Sequence, residues 1–222
     1  MTQWNDFPHN NAAFVFKGDR LQAAWSKLHR GDCVEFPSTE WVQETLEQTP
    51  AAAPTSFAGD FEALAETLQD AWRCFHAGDF QKATRQADKC GHLAHAPANK
   101  ATGIYATYLA TDEAAQQACY LAAIERAERA IELLPDDPNS HYFYAFNLGR
   151  YSQSISVVKA LSQGVGGKIH TALHNTLELQ PNHAEAHTAL GMYHAEIIDK
   201  VGKMLGKMTY GASADQALKH FE

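Results

Sequence analysis

Two stretches of this chain close a helix in nearly the same words. Ile131-Glu132-Leu133-Leu134-Pro135 and Leu177-Glu178-Leu179-Gln180-Pro181 both end on proline, and each is followed by a short polar turn. Beyond each turn lies a helical segment with an internal Leu-Gly pair, Leu148-Gly149 and Leu190-Gly191. Proline stops the first helix because it cannot continue the hydrogen-bond ladder. The small residue in the next helix lets a neighbour approach closely, since side chains at the contact set the interaxial distance. A recurring helical hairpin constrains the fold more than any single residue. One hairpin cannot bury its apolar face alone, so the chain must stack several. From about Asp60 onward almost everything reads as helix broken by short turns, and β-branched runs with period-2 alternation are absent, so an all-α chain is expected.

These words resemble the tetratricopeptide repeat, which implies a right-handed helical-hairpin solenoid. The Leu-Gly pairs are 42 residues apart and the prolines 46 apart, against a family period of about 34. Upstream, Ala71 takes the small position of a first helix, Gly78-Asp79-Phe80 the inter-helix turn, and Ala83 and Cys90 small positions of the second helix. Ala123 and Ala130 precede Pro135 at the family's spacing. Four units follow, at 62–97, 98–137, 138–183 and 184–222, the last incomplete. The third and fourth carry overlong first helices, Tyr151–Leu161 and Glu196–Met208, followed by glycine-containing loops. Such extended hairpins, with the words Leu148-Gly149-Arg150, Lys168-Ile169 and Ala217-Leu218-Lys219-His220-Phe221, resemble the regulator-of-microtubule-dynamics family and related divergent bacterial repeats.

Ahead of the repeat domain at 60–222 stands an N-terminal lead-in, 1–48, with two short helices. One covers roughly Asp19–Arg30, with Leu21, Ala24, Trp25 and Leu28 at helical spacing, and the other follows Pro37. The prolines and small residues of 49–59 read as a linker. The chain carries 26 acidic and 18 basic residues for a formal charge of -8, which argues against a phosphate-backbone binder. No apolar run is long enough to span a membrane, and the first residues lack a secretory signal's pattern. Cys33, Cys74, Cys90 and Cys119 contain no CxxC pair, and a reducing cytoplasm fits them.

The resemblance implies a non-enzymatic scaffold that holds a partner protein or peptide in its groove. Carried over, the groove positions are Trp72, His76, Tyr105, Tyr108, Phe143, Asn147, Arg150, Ser154 and Met192, with Asn147 and Arg150 suited to a peptide backbone or carboxylate. Lysines beside Val201, Met204, Leu205 and Met208 make a basic amphipathic helix that packs on its neighbour arm or on a second copy in a homodimer. The pair His170 and His174, with His187, supplies a metal- or small-ligand-binding alternative, because i, i+4 imidazoles share a helical face. No HExxH arrangement accompanies them, so no metal or cofactor is assigned. Gly164-Val165-Gly166-Gly167-Lys168 lacks the strand and the Ser/Thr of a phosphate loop. No catalytic constellation is present in the sequence.

Overall fold

The structure, a computed structural model, describes residues 3–222. It is 74% helix, with no strand among the described residues. The helices are α1 (Arg20–Leu28), α2 (Thr39–Gln48), α3 (Phe61–His76), α4 (Phe80–Ala87), α5 (His95–Tyr108), α6 (Glu113–Leu133), α7 (Pro138–Gln153), α8 (Val157–Ser162), α9 (Val165–Leu179), α10 (Ala184–Val201), α11 (Lys203–Tyr210) and α12 (Ala214–Phe221).

Local chemistry explains the starts of these helices. Asp60, Asp112 and Asp137 place a carboxylate oxygen on the amides of Ala63, Ala115 and Asn139, satisfying donors that the first turn leaves free. Pro138 follows Asp137 at the first helical position, where its missing N–H costs nothing. His183 plays the capping part for α10, its Nδ1 accepting from the Ala186 amide at 3.0 Å. Between α3 and α4 the chain reverses at Gly78, whose φ of 81° favours glycine.

The helices pack as successive hairpins: α3 with α4, α5 with α6, α7 with α9 and α10 with α12, each pair stacking on the one before. Small residues line these contacts. Ala71, Ala83, Ala101, Ala123, Ala127 and Ala130 are all fully buried. The tightest approach is at Gly103 of α5, where a Cβ would fall on the Phe146 ring and 2.6 Å from Asn147 Oδ1 of α7. At Gly191 the neighbour is the Phe221 ring, 2.7 Å from an added Cβ, whereas Gly149 meets only Ile169 at 3.9 Å.

Three sequence expectations change. The overlong first helices are each broken: α7 stops at Gln153 and the short α8 follows, while α10 stops at Gly202, φ 82°, before α11. The expected loop at 162–167 is instead a single left-handed residue, Gly164, with Gly166 and Gly167 already inside α9. The proline-rich 49–59 stretch is packed in place. Ala52 is fully buried beside Leu46, Leu64 and Cys90, and the backbone of 52–54 rests on Gly91, where a side chain would collide with it. Its composition reads as a spacer because nothing local reveals that a distant glycine leaves room for it.

Candidate binding groove

The first helices α3, α5, α7 and α10 form one face, and the N-terminal segment lies along it. Leu21 and Trp25 of α1 share a buried cluster with Trp72 of α3, Ala96 of α5, Tyr142 and Phe143 of α7, and Ala186 and Leu190 of α10. Trp25 donates its indole N–H to the Val34 carbonyl at 2.8 Å and meets Trp72 edge-on. Nearer the start of the chain, Trp4 stacks on Tyr105 with centroids 4.0 Å apart, Asn5 donates to the Leu109 carbonyl, and Phe7 covers Gly78.

Several groove residues expected from sequence are therefore closed off. Trp72 is 1% exposed beneath Trp25, and Tyr105 is buried under Trp4. Phe143 and Asn147 lie in the interior, the Asn147 amide donating to the Phe143 carbonyl within its own helix. His76 is partly covered, its Nε2 3.2 Å from that of His29. Burial, then the neighbouring His29 ring and Lys100 ammonium, push its pKa down to about 3. Tyr108 is 69% exposed at the end of α5, away from the others. Ser154 caps α7 by bonding the Tyr151 carbonyl.

The N-terminal segment is anchored by a buried charge cluster that sequence reading missed. Asp32 is fully buried and takes hydrogen bonds from Lys100 Nζ at 2.5 Å and His29 Nδ1 at 2.9 Å, while Lys100 also reaches Glu185 at 3.1 Å. Asn139 donates to the Asp32 carbonyl, and the Glu185 amide donates to the Gly31 carbonyl. Burial alone would raise the Asp32 carboxyl, but the His29 bond and the Lys100 charge outweigh it and hold it well below the usual carboxylate range. His29 at the end of α1 and Lys100 of α5 thus meet at one carboxylate, and α7 and α10 join the same cluster through Asn139 and Glu185. The signal available in the sequence was Lys100 itself, a lone charge in the otherwise small and neutral run 95–106.

The end of the face between α7, α9 and α10 is open. Here a cavity of about 350 Å³ is lined by Phe146, Gly149, Ile169, Leu173, Ala189 and Tyr193, with Arg150, Met192 and Glu196 at its sides. Arg150 and Met192 are the two expected groove residues that the structure brings together here. Gln153 donates to Glu196 across the α7–α10 gap, and the Arg150 guanidinium lies 5.8 Å from the Phe146 ring centroid. An adjoining cavity of about 230 Å³ runs beneath α8 and α11. Beyond it Met204, Leu205 and Met208 are exposed, as are Val158 and Leu161 on α8, while Val201 is half-buried. The two arms share the rim of this second cavity but do not cover each other's apolar residues.

His170 and His174 do meet, with Nε2 atoms 3.1 Å apart, but His187 pairs elsewhere, with His220 of α12. Among the described residues, no three or more His, Cys, Asp or Glu side chains are grouped to hold a metal ion. Among the same residues, no helix is long and apolar enough to cross a membrane.

An all-helical chain of stacked hairpins is the class of protein that these features define. The model of the family described as Regulator of microtubule dynamics protein 1-3 matches residues 80–222. The chain belongs to the regulator of microtubule dynamics family. No curated protein and no solved structure matches it.

Proposed function

We propose that this chain is a non-enzymatic scaffold of the tetratricopeptide-like kind, which takes a segment of a partner protein in the α7–α10 end of its groove. The observation that carries this reading is the 350 Å³ cavity with an apolar floor and a charged rim. Apolar side chains such as Phe146, Leu173 and Met192 supply area to bury, and Arg150 and Glu196 on opposite sides supply orientation. An extended or helical peptide with one apolar anchor flanked by an acidic residue suits that layout. The family's name, regulator of microtubule dynamics, agrees with a protein partner. A reducing, cytoplasmic setting suits the four thiols.

The test is selection of a random peptide display library on the immobilised chain. Enriched peptides should carry an apolar anchor and lose binding when Met192→Glu or Arg150→Glu is introduced. They should tolerate Met208→Glu, which lies outside the groove. Enrichment that ignores both groove variants would refute the assignment.

A further inference from the structure

Five of the seven histidines of the last two hairpins, His170, His174, His187, His194 and His220, form a continuous file across three helices. His174 Nε2 lies 3.1 Å from His170 Nε2 on α9. The His170 ring is 6.2 Å from that of His194 on α10, and His194 stacks on His220 of α12 with centroids 6.0 Å apart. His220 in turn puts its Nδ1 2.9 Å from His187 Nδ1. His194 is buried, and its own Nδ1 has no hydrogen-bond partner. An orphaned buried ring nitrogen between two imidazole pairs is costly if the file serves packing alone.

One pair has the second contact that metal-binding histidines use. His187 Nε2 lies 3.0 Å from the Pro181 carbonyl, which can only accept, so that nitrogen carries the proton. A neutral His187 therefore presents a bare Nδ1 lone pair toward His220. Donation of the remote ring N–H to a backbone carbonyl is how proteins fix the tautomer and orientation of a ligating imidazole. The pair His170–His174 has no such carbonyl contact.

The separation also selects the metal. With metal–nitrogen bonds of about 2.0–2.1 Å, two nitrogens 2.9 Å apart subtend about 90° at the ion. That angle suits adjacent positions of a square-planar or tetragonal centre, the preference of copper(II) and nickel(II), better than a tetrahedral one.

We propose that His187 and His220 bind a copper(II) or nickel(II) ion through their Nδ1 atoms, joining α12 to α10, with water in the remaining positions. Binding moves the His220 proton from Nδ1 to Nε2, so both rings stay neutral and no net proton is released.

The experiment is titration of copper(II) chloride and nickel(II) chloride into the full chain, without a histidine tag, followed by calorimetry and by electron paramagnetic resonance of the copper form. Saturation near one equivalent with a tetragonal, nitrogen-coupled spectrum is expected. His187→Ala and His220→Gln should each weaken binding about tenfold or more, the range seen when supporting contacts of a metal site are removed. The double variant His170→Gln/His174→Gln should leave it within about twofold. Should either single variant disturb α12, copper added below one equivalent to the unaltered chain answers the same question by NMR. Signals of 187–191 and 217–222 should then broaden before those of 168–176. The proposal is overturned by an absence of binding, by affinity unchanged in both single variants, by loss in the α9 double variant instead, or by broadening centred on α9.

Discussion

Replacing Lys100 by Met removes the one ammonium facing a fully buried carboxylate while keeping the length and apolar stem of the side chain. Asp32 would then retain only the His29 imidazole and a 3.4 Å contact from the Val34 amide to hold its charge. Breaking a buried ion pair from one side costs about 3–5 kcal/mol, because the remaining charge stays desolvated. His29 can still donate, which places Lys100→Met near the lower end, about 3 kcal/mol. Asp32→Asn should cost less, about 1–3 kcal/mol, since Lys100 keeps Glu185 as a partner. The double variant should cost less than the sum of the two by at least about 1 kcal/mol, the signature of residues in one network. Urea denaturation followed by far-ultraviolet circular dichroism measures all three. The pH dependence is a further check. A carboxyl held below its ordinary value contributes stability above about pH 4 that is lost as pH falls through its folded value. The deficit of Lys100→Met should therefore shrink in acid, where Asp32 can take a proton. Additive losses, or a Lys100→Met deficit below about 1 kcal/mol, would show that the cluster does not hold the N-terminal segment.

Glycine substitutions should separate tight contacts from loose ones. Gly103→Ala should cost about 1–3 kcal/mol, because its Cβ strikes Phe146 and the interior Asn147. Gly191→Ala should cost under about 1 kcal/mol, since the ring it meets, Phe221, is half exposed and can swing away; thermal melts of both variants rank them. His194 is held at about 4 and His76 at about 3, mainly by burial, against an ordinary value near 6.5. The folded chain thus binds fewer protons than the unfolded one. The melting temperature should fall as pH drops from about 6.5 toward 4, and His194→Phe should flatten part of that slope.

The helical content and the hairpin register were legible because periodicity and proline punctuation are local. Pro135 and Pro181 each lie just past a helix end, those of α6 and α9, and Leu148-Gly149 falls inside α7 as its spacing required. The open groove was half legible: Arg150 and Met192 follow from register, but Glu196 and Phe146 require the observed crossing of α7 and α10. What no local pattern could reveal was the occupant of the other half. α1 reads as a short amphipathic helix, and the pattern of Leu21 and Trp25 says only that they need burial. Their partners lie some 50 to 170 positions away. The arms failed for a related reason. Gly202 at φ 82° and the Ser154–Ser156 break interrupt helices whose apolar spacing runs straight through them.

Arrays of stacked hairpins ordinarily touch only their nearest neighbours, so their stability is a sum along a line and they can fray from either end. The N-terminal segment holds both the first and the last hairpin: Trp25 meets Trp72 of α3, and the Gly31 carbonyl takes the Glu185 amide of α10. That contact closes the line into a loop of interactions. An end hairpin cannot peel away without also uncovering Trp72 at the other, so unfolding should gather into a single transition. The same closure raises the mean sequence separation of contacts, and slower folding than an unbridged array of equal length follows.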